Sequence, residues 1–180
     1  MVQFKSTSVV KHPVGLVYET MRDRLSEIVN FLEDIESVQP QERKDLAAGK
    51  VRIVNIWQAA PALPSFIAQH VKREMLAWTD RAEWDQKAQE CRWEIEPHAF
   101  KEWVRCIGKT SFEPAIRGEA TKITFSGTLE LQKSDKAIKM LSGSASQLVE
   151  VIVQRMIPSN FVKVTKALSH YLDEKNSRAN

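Results

Sequence analysis

Between Ala120 and Leu131 the chain alternates: Ile123, Phe125, Leu129 and Leu131 fall on one parity, and Lys122, Thr124, Thr128 and Glu130 on the other. A period of two is that of a half-buried strand. Three earlier runs, 74–84, 89–97 and 102–112, are rich in β-formers and are parted by polar or proline-containing joints at Asp85-Gln86-Lys87 and Pro97-His98-Ala99. Together the four runs predict an antiparallel meander. Upstream, the dense β-branched run Val51 to Trp57 follows Asp45-Leu46-Ala47-Ala48-Gly49, which predicts a hairpin with Ile35 to Lys44 as its first arm. Pro40 cannot donate a ladder hydrogen bond, so that arm belongs at a sheet edge. Val2 to Val10, ending at Lys11-His12-Pro13, supplies a seventh strand.

The helical period takes over at Pro13. Val14, Val17, Tyr18, Met21, Leu25, Ile28, Val29 and Leu32 step by three and four, predicting one helix or two abutting helices over 13–34, with Pro13 near the first turn. Ser26 is the candidate cap of a second helix, although no capping box follows it. Ala59 to Pro64 is a turn region, and Phe66, Ile67 and Val71 suggest a short helix after it. The longest helical stretch, Ala145 to Leu172, would span about 42 Å, with a kink at Pro158. Leu148, Val149, Val151, Ile152, Val153, Met156 and Ile157 leave it little polar face, as in a helix enclosed by other structure. Phe161, Val164, Ala167, Leu168, Tyr171 and Leu172 continue as a narrower stripe. The reading is a single domain over 1–173 with a frayed tail at 174–180.

This order is α+β: a seven-stranded antiparallel sheet curved around a long, proline-kinked C-terminal helix. It resembles the START-like (SRPBCC) superfamily with its helix-grip fold. The resemblance rests on the Lys11-His12-Pro13-Val14 lead-in to the first helix, the Gly49 hairpin into Val51 to Trp57, and the proline-interrupted last helix. It implies a hydrophobic cavity between sheet and last helix, holding a lipid, a polyketide or another apolar molecule. The members it is most similar to are polyketide cyclase/dehydrase and lipid-transport-like.

Composition agrees with an ordinary globular chain: 180 residues, 43% hydrophobic and 27% charged. A net charge of +3 from 26 basic and 23 acidic side chains falls short of what nucleic-acid binding usually needs, so no nucleic-acid partner is expected. Residues 121–180 carry nine bases against five acids. Met1 leads into Val2-Gln3-Phe4-Lys5 with no basic and apolar leader pattern, and Glu150, Arg155 and Lys163 interrupt the most hydrophobic segment, so no transmembrane segment and a cytoplasmic location are expected. There Cys91 and Cys106 read as small buried hydrophobes rather than a disulfide.

Candidate site residues follow from strand parity. All five tryptophans, Trp57, Trp78, Trp84, Trp93 and Trp103, lie in the middle of the chain, on or at the ends of strands. As mid-strand aromatics they fill core volume by default, but in a helix-grip fold core and cavity wall are one surface. The expected wall takes Ile53, Asn55 and Trp57 from one strand and Leu76, Trp78 and Asp80 from the next. Trp93, Ile95 and Phe125 follow, with Leu148, Ile152 and Met156 from the helix. Arg105 and Ile107 share a face with Trp103; inward, the guanidinium would need a partner such as Asp80, Asn55 or an anionic ligand group, and outward it is an ordinary surface residue. Lys133, Lys136 and Lys139, interleaved with Ile138, Met140 and Leu141, form either a solvated connector or an entrance loop that touches membrane surfaces transiently.

His12, His70, His98 and His170 have no metal-ligand spacing, and no phosphate loop or nucleophile elbow occurs, so neither metal nor cofactor is expected. Asp80 falls on the opposite face from Glu83 and Asp85, which argues against a paired-acid site. Three functions remain: binding or transport of a hydrophobic small molecule, a polyketide cyclase/dehydrase-type enzyme anchored by Arg105 or Asp80, and a protein-interaction module.

Overall fold

The computed structural model describes residues 2–60, 72–99, 101–102, 104–131 and 157–179. Its strands are β1 (Val2–Val10), β2 (Ile35–Asp45), β3 (Lys50–Ala59), β4 (Ala77–Asp85), β5 (Glu90–Pro97), β6 (Val104–Ala115) and β7 (Ala120–Leu131). They form one antiparallel sheet in the order β1-β7-β6-β5-β4-β3-β2. Sequence neighbours pair throughout from β2 to β7, and only β1 crosses over to join β7. The α-helices among the described residues are α1 (Val14–Asp23), α2 (Leu25–Ile28) and α3 (Ile157–Ala179).

The predicted hairpin arm with Pro40 is β2, an edge strand, and the ladder is irregular between Pro40 and Glu42, where the missing donor falls. Its turn into β3 runs through Ala48 and Gly49, both with positive φ (61° and 74°). The run 74–84 divides differently from the sequence reading: Arg73–Leu76 is a 3-10 turn and the strand starts at Ala77. The first helical stretch breaks at Arg24, whose N–H donates to the Thr20 carbonyl at 2.9 Å. Ser26 therefore lies inside α2 and caps nothing.

Residues 66–71, the expected short helix, lie outside the described residues, as do 145–156. The described part of the last helix starts at Ile157, with Pro158 in its first turn, so the expected kink falls outside as well. α3 continues through Ala179, across the segment read from sequence as a frayed tail.

One face of the sheet, together with α1, α2 and α3, encloses the core. Val17, Tyr18, Ile28, Ile123, Phe125 and Leu168 are almost wholly shielded from solvent. Polar ties fix the helices around it. Tyr171 on α3 donates to Glu27 on α2 at 2.7 Å, His12 meets Asp173 at 2.9 Å, and Lys163 pairs with Asp34. On the sheet, Thr121 donates to the His12 carbonyl at 2.7 Å, anchoring the chain where it leaves β1.

Candidate functional site: an aromatic cavity with one carboxyl

Strand parity builds the site. In β3 the inward positions are Ile53, Asn55 and Trp57; in β4, Trp78, Asp80, Ala82 and Trp84; in β5, Cys91, Trp93, Ile95 and Pro97. The register sets Asn55 beside Asp80 beside Ile95, and Trp57 beside Trp78 beside Pro97. Directly opposed aromatics on a twisted sheet stack, and the Trp57 and Trp78 rings do so with centroids 5.5 Å apart and planes 14° apart. Trp93 packs on Phe161 of α3 at 5.1 Å, and Phe161 on Phe125 of β7 at 4.6 Å. A third cluster closes the far side, where Tyr18 meets Trp84 and Phe112 edge-on at 5.4 and 5.3 Å.

Between these rings lies a cavity of about 120 Å³. Trp57, Trp78, Trp84 and Trp93 line it from the sheet, with Leu76, Ile95 and Phe125; Met21 and Leu25 face it from the first helices, and Phe161 and Val164 from α3. An apolar hole of comparable size, roughly 150 Å³, is large enough to take benzene.

The polar groups on this wall are few. Thr110 accepts the Trp93 indole N–H at 3.1 Å, so both are satisfied. The Cys91 thiol is buried, and burial pushes it well above its usual range, which makes it a small hydrophobe here. Asp80 is the one carboxyl among the described lining residues, and no Lys, Arg or His is among them. Burial pushes Asp80 up to about 7. The Trp57 indole N–H acts in the opposite sense and favours the ionised form, yet it stops short of a hydrogen bond, and Trp57 Nε1 is a buried donor with no partner among the described residues. No group of His, Cys, Asp and Glu that could hold a metal occurs among the described residues.

Of the wall residues expected from sequence, Trp57, Leu76, Trp78, Asp80, Trp93, Ile95 and Phe125 come together around this space. Ile53 and Asn55 are buried on the same face but do not border it. Arg105 and Ile107 require correction. The inward parity of β6 is that of Val104, Cys106, Thr110 and Phe112, which leaves Arg105 on the outer face, ion-paired with Glu94 at 3.3 Å, and Ile107 beside Lys109 and Thr128 on the outer surface. An inward guanidinium would have stood in an aromatic core without a partner. Leu148, Ile152, Met156, Lys133, Lys136, Lys139 and Trp103 lie outside the described residues.

Sequence reasoning passed over Trp84, Met21 and Phe161 as wall residues, although parity with Trp78 and the α3 stripe carried the first and last. It also passed over Gly108 and Gly127, which pair across β6 and β7. A Cβ on Gly108 would stand 2.5 Å from the Trp93 ring, and one on Gly127 would stand 2.7 Å from it. Two adjacent glycines thus make a bare floor on which the Trp93 indole lies.

No family model and no curated protein matches this chain. Solved structures do. A protein from Thermus thermophilus is similar at TM-score 0.65 and 22% identity, covering 94% of this chain and 95% of that one. The Zhui aromatase/cyclase from Streptomyces sp. R1128 is similar at TM-score 0.66 and 13% identity, over 97% and 94%. The ginseng major latex-like protein 151 from Panax ginseng is similar at TM-score 0.57 and 15% identity, over 94% and 96%. The fold is the helix-grip fold, a seven-stranded antiparallel sheet with a C-terminal helix, as in these structures. Among the described residues, no helix is long and apolar enough to cross a membrane.

Proposed function

We propose that this protein binds a hydrophobic small molecule in the cavity between its sheet and α3, with four tryptophans and Phe161 as the wall. The observation that carries the reading is the unfilled space itself. Protein interiors are close-packed, and aromatic side chains of this size ordinarily interdigitate to exclude such a hole. An apolar ligand that fills it recovers dispersion contacts which the lining atoms otherwise lack. The fold is shared with an aromatase/cyclase, so a cyclase-type reaction on a bound chain is the second reading; what favours it is Asp80, a carboxyl poised near neutrality in an otherwise apolar cavity. Two buried free thiols suit a reducing, cytoplasmic setting.

Native mass spectrometry of the protein purified under mild conditions, followed by solvent extraction, tests the binding reading. The expected result is a one-to-one adduct of an apolar compound that is lost in Ala82→Leu, where added methyl groups occupy the space. A protein that carries nothing, and takes up nothing from a panel of lipids and aromatic compounds, contradicts it.

A further inference from the structure

We infer that the cavity selects an apolar molecule bearing a hydroxyl group, which accepts a hydrogen bond from the Trp57 indole N–H and donates one to the Asp80 carboxyl. The inference rests on the binding reading above and narrows it to a ligand chemistry.

Two groups carry it. Trp57 is 7% exposed and its Nε1 is buried with no partner among the described residues, a state that costs free energy in a finished core. Asp80 lines the same cavity from the neighbouring strand and has no ion-pair partner among the described residues. The register places Asp80 opposite Asn55, two positions from Trp57 on the same inward parity, so a donor and an acceptor project from adjacent strands into one space. A hydroxyl is the smallest group that satisfies both, because it has one O–H to give and lone pairs to accept.

The alternatives satisfy less. A carboxylate ligand would bring its charge into this cavity with no cation among the described lining residues to balance it. An ammonium would pair with Asp80 but present only donors to the Trp57 N–H, leaving that group orphaned. A purely apolar ligand would leave the Trp57 N–H without a partner among the described residues. Burial alone raises Asp80 toward neutrality, and in either protonation state the carboxyl keeps an oxygen that accepts from a hydroxyl.

A matched series on one skeleton tests this by titration of tryptophan fluorescence: 2-naphthalenemethanol, 2-ethylnaphthalene, 2-naphthylmethylamine and 2-naphthoate. 2-Ethylnaphthalene replaces the hydroxyl by methyl and so reports on the cavity alone. The expected result is that the alcohol binds at least as tightly as 2-ethylnaphthalene despite its greater hydration, and more tightly than the amine or the acid. In Asp80→Leu and in Trp57→Phe, the affinity ratio of alcohol to ethyl compound should fall about tenfold, with the ethyl compound still bound. An unchanged ratio in both variants, or tightest binding by the amine or the acid, overturns the hydroxyl inference while the cavity reading stands. Failure of all four compounds to bind overturns both. Because 2-ethylnaphthalene needs neither polar group, its binding also reports that each variant is folded; if one variant fails to fold, the ratio in the other decides.

Discussion

The Trp93 indole lies across Gly108, its directly opposed neighbour on β6, so closely that a Cβ on the glycine would stand 2.5 Å from the ring. The same Cβ would come within 2.3 Å of the Ser126 carbonyl oxygen on β7, so neither ring nor backbone offers room. Gly108→Ala is therefore expected to destabilise the fold by about 1–3 kcal/mol through overpacking. A thermal melt checks it. Combining the change with Trp93→Leu should cost less than the sum of the single variants, since the ring is one of the two obstacles.

Asp80 should make stability fall as pH rises. Its folded pKa, about 7, lies above the ordinary 3.8, so the native state holds a proton that the unfolded chain has already released. Stability is then lost between about pH 4 and pH 7, and the full penalty applies above that, with an upper bound of about 4 kcal/mol from the size of the shift. Asp80→Asn should be more stable than the parent at pH 8 and equal to it below pH 4. Denaturant titrations of both proteins across this range read the difference, which also cancels Asp23, Glu27 and Asp85, whose pKa values are shifted the opposite way by their hydrogen-bonded partners. A gap that does not change with pH would contradict a proton-holding Asp80 in the cavity wall.

Both cysteines should be silent in the native state. Cys91 and Cys106 are 3% and 0% exposed, and burial pushes Cys106 up to about 12 and Cys91 well above its usual range. A thiol reagent at pH 8 is expected to modify neither until guanidinium unfolds the chain, and then to modify both. Rapid labelling of one thiol in native conditions would place that strand nearer the surface.

The outer face of the sheet should tolerate change. Arg105 pairs with Glu94 on neighbouring strands, with both side chains about half exposed at 53% and 46%. Arg105→Leu is expected to shift stability by less than about 1 kcal/mol and to leave binding of 2-ethylnaphthalene unchanged. A loss of binding would return Arg105 to the site.

Much of this architecture was legible in the chain because period-two alternation reports directly on which face of a sheet is buried. It placed β7 correctly to the residue and put Trp57, Trp78 and Asp80 on one face. Parity failed to decide β6, where each side mixes apolar and polar residues: Val104, Cys106 and Thr110 on one, Arg105, Ile107 and Lys109 on the other. There the burial of a whole strand turns on pairing with β5 and β7, which local composition does not encode. The glycine floor under Trp93 was hidden for a related reason: Gly108 and Gly127 are nineteen positions apart and become neighbours only through register. That the Trp57 N–H has no partner among the described residues is a property of three-dimensional alignment, and no residue pattern announces it.

The central claim is that an apolar molecule occupies the space between the tryptophan-lined sheet face and α3. Soaking crystals of the protein with 2-bromonaphthalene and locating the bromine by its anomalous signal tests that claim most directly. The expected result is one dominant peak enclosed by Trp57, Trp78, Trp93 and Phe161. Saturating soaks that give no peak there, or peaks confined to the outer sheet surface around Arg52, Arg92 and Lys109, would contradict it.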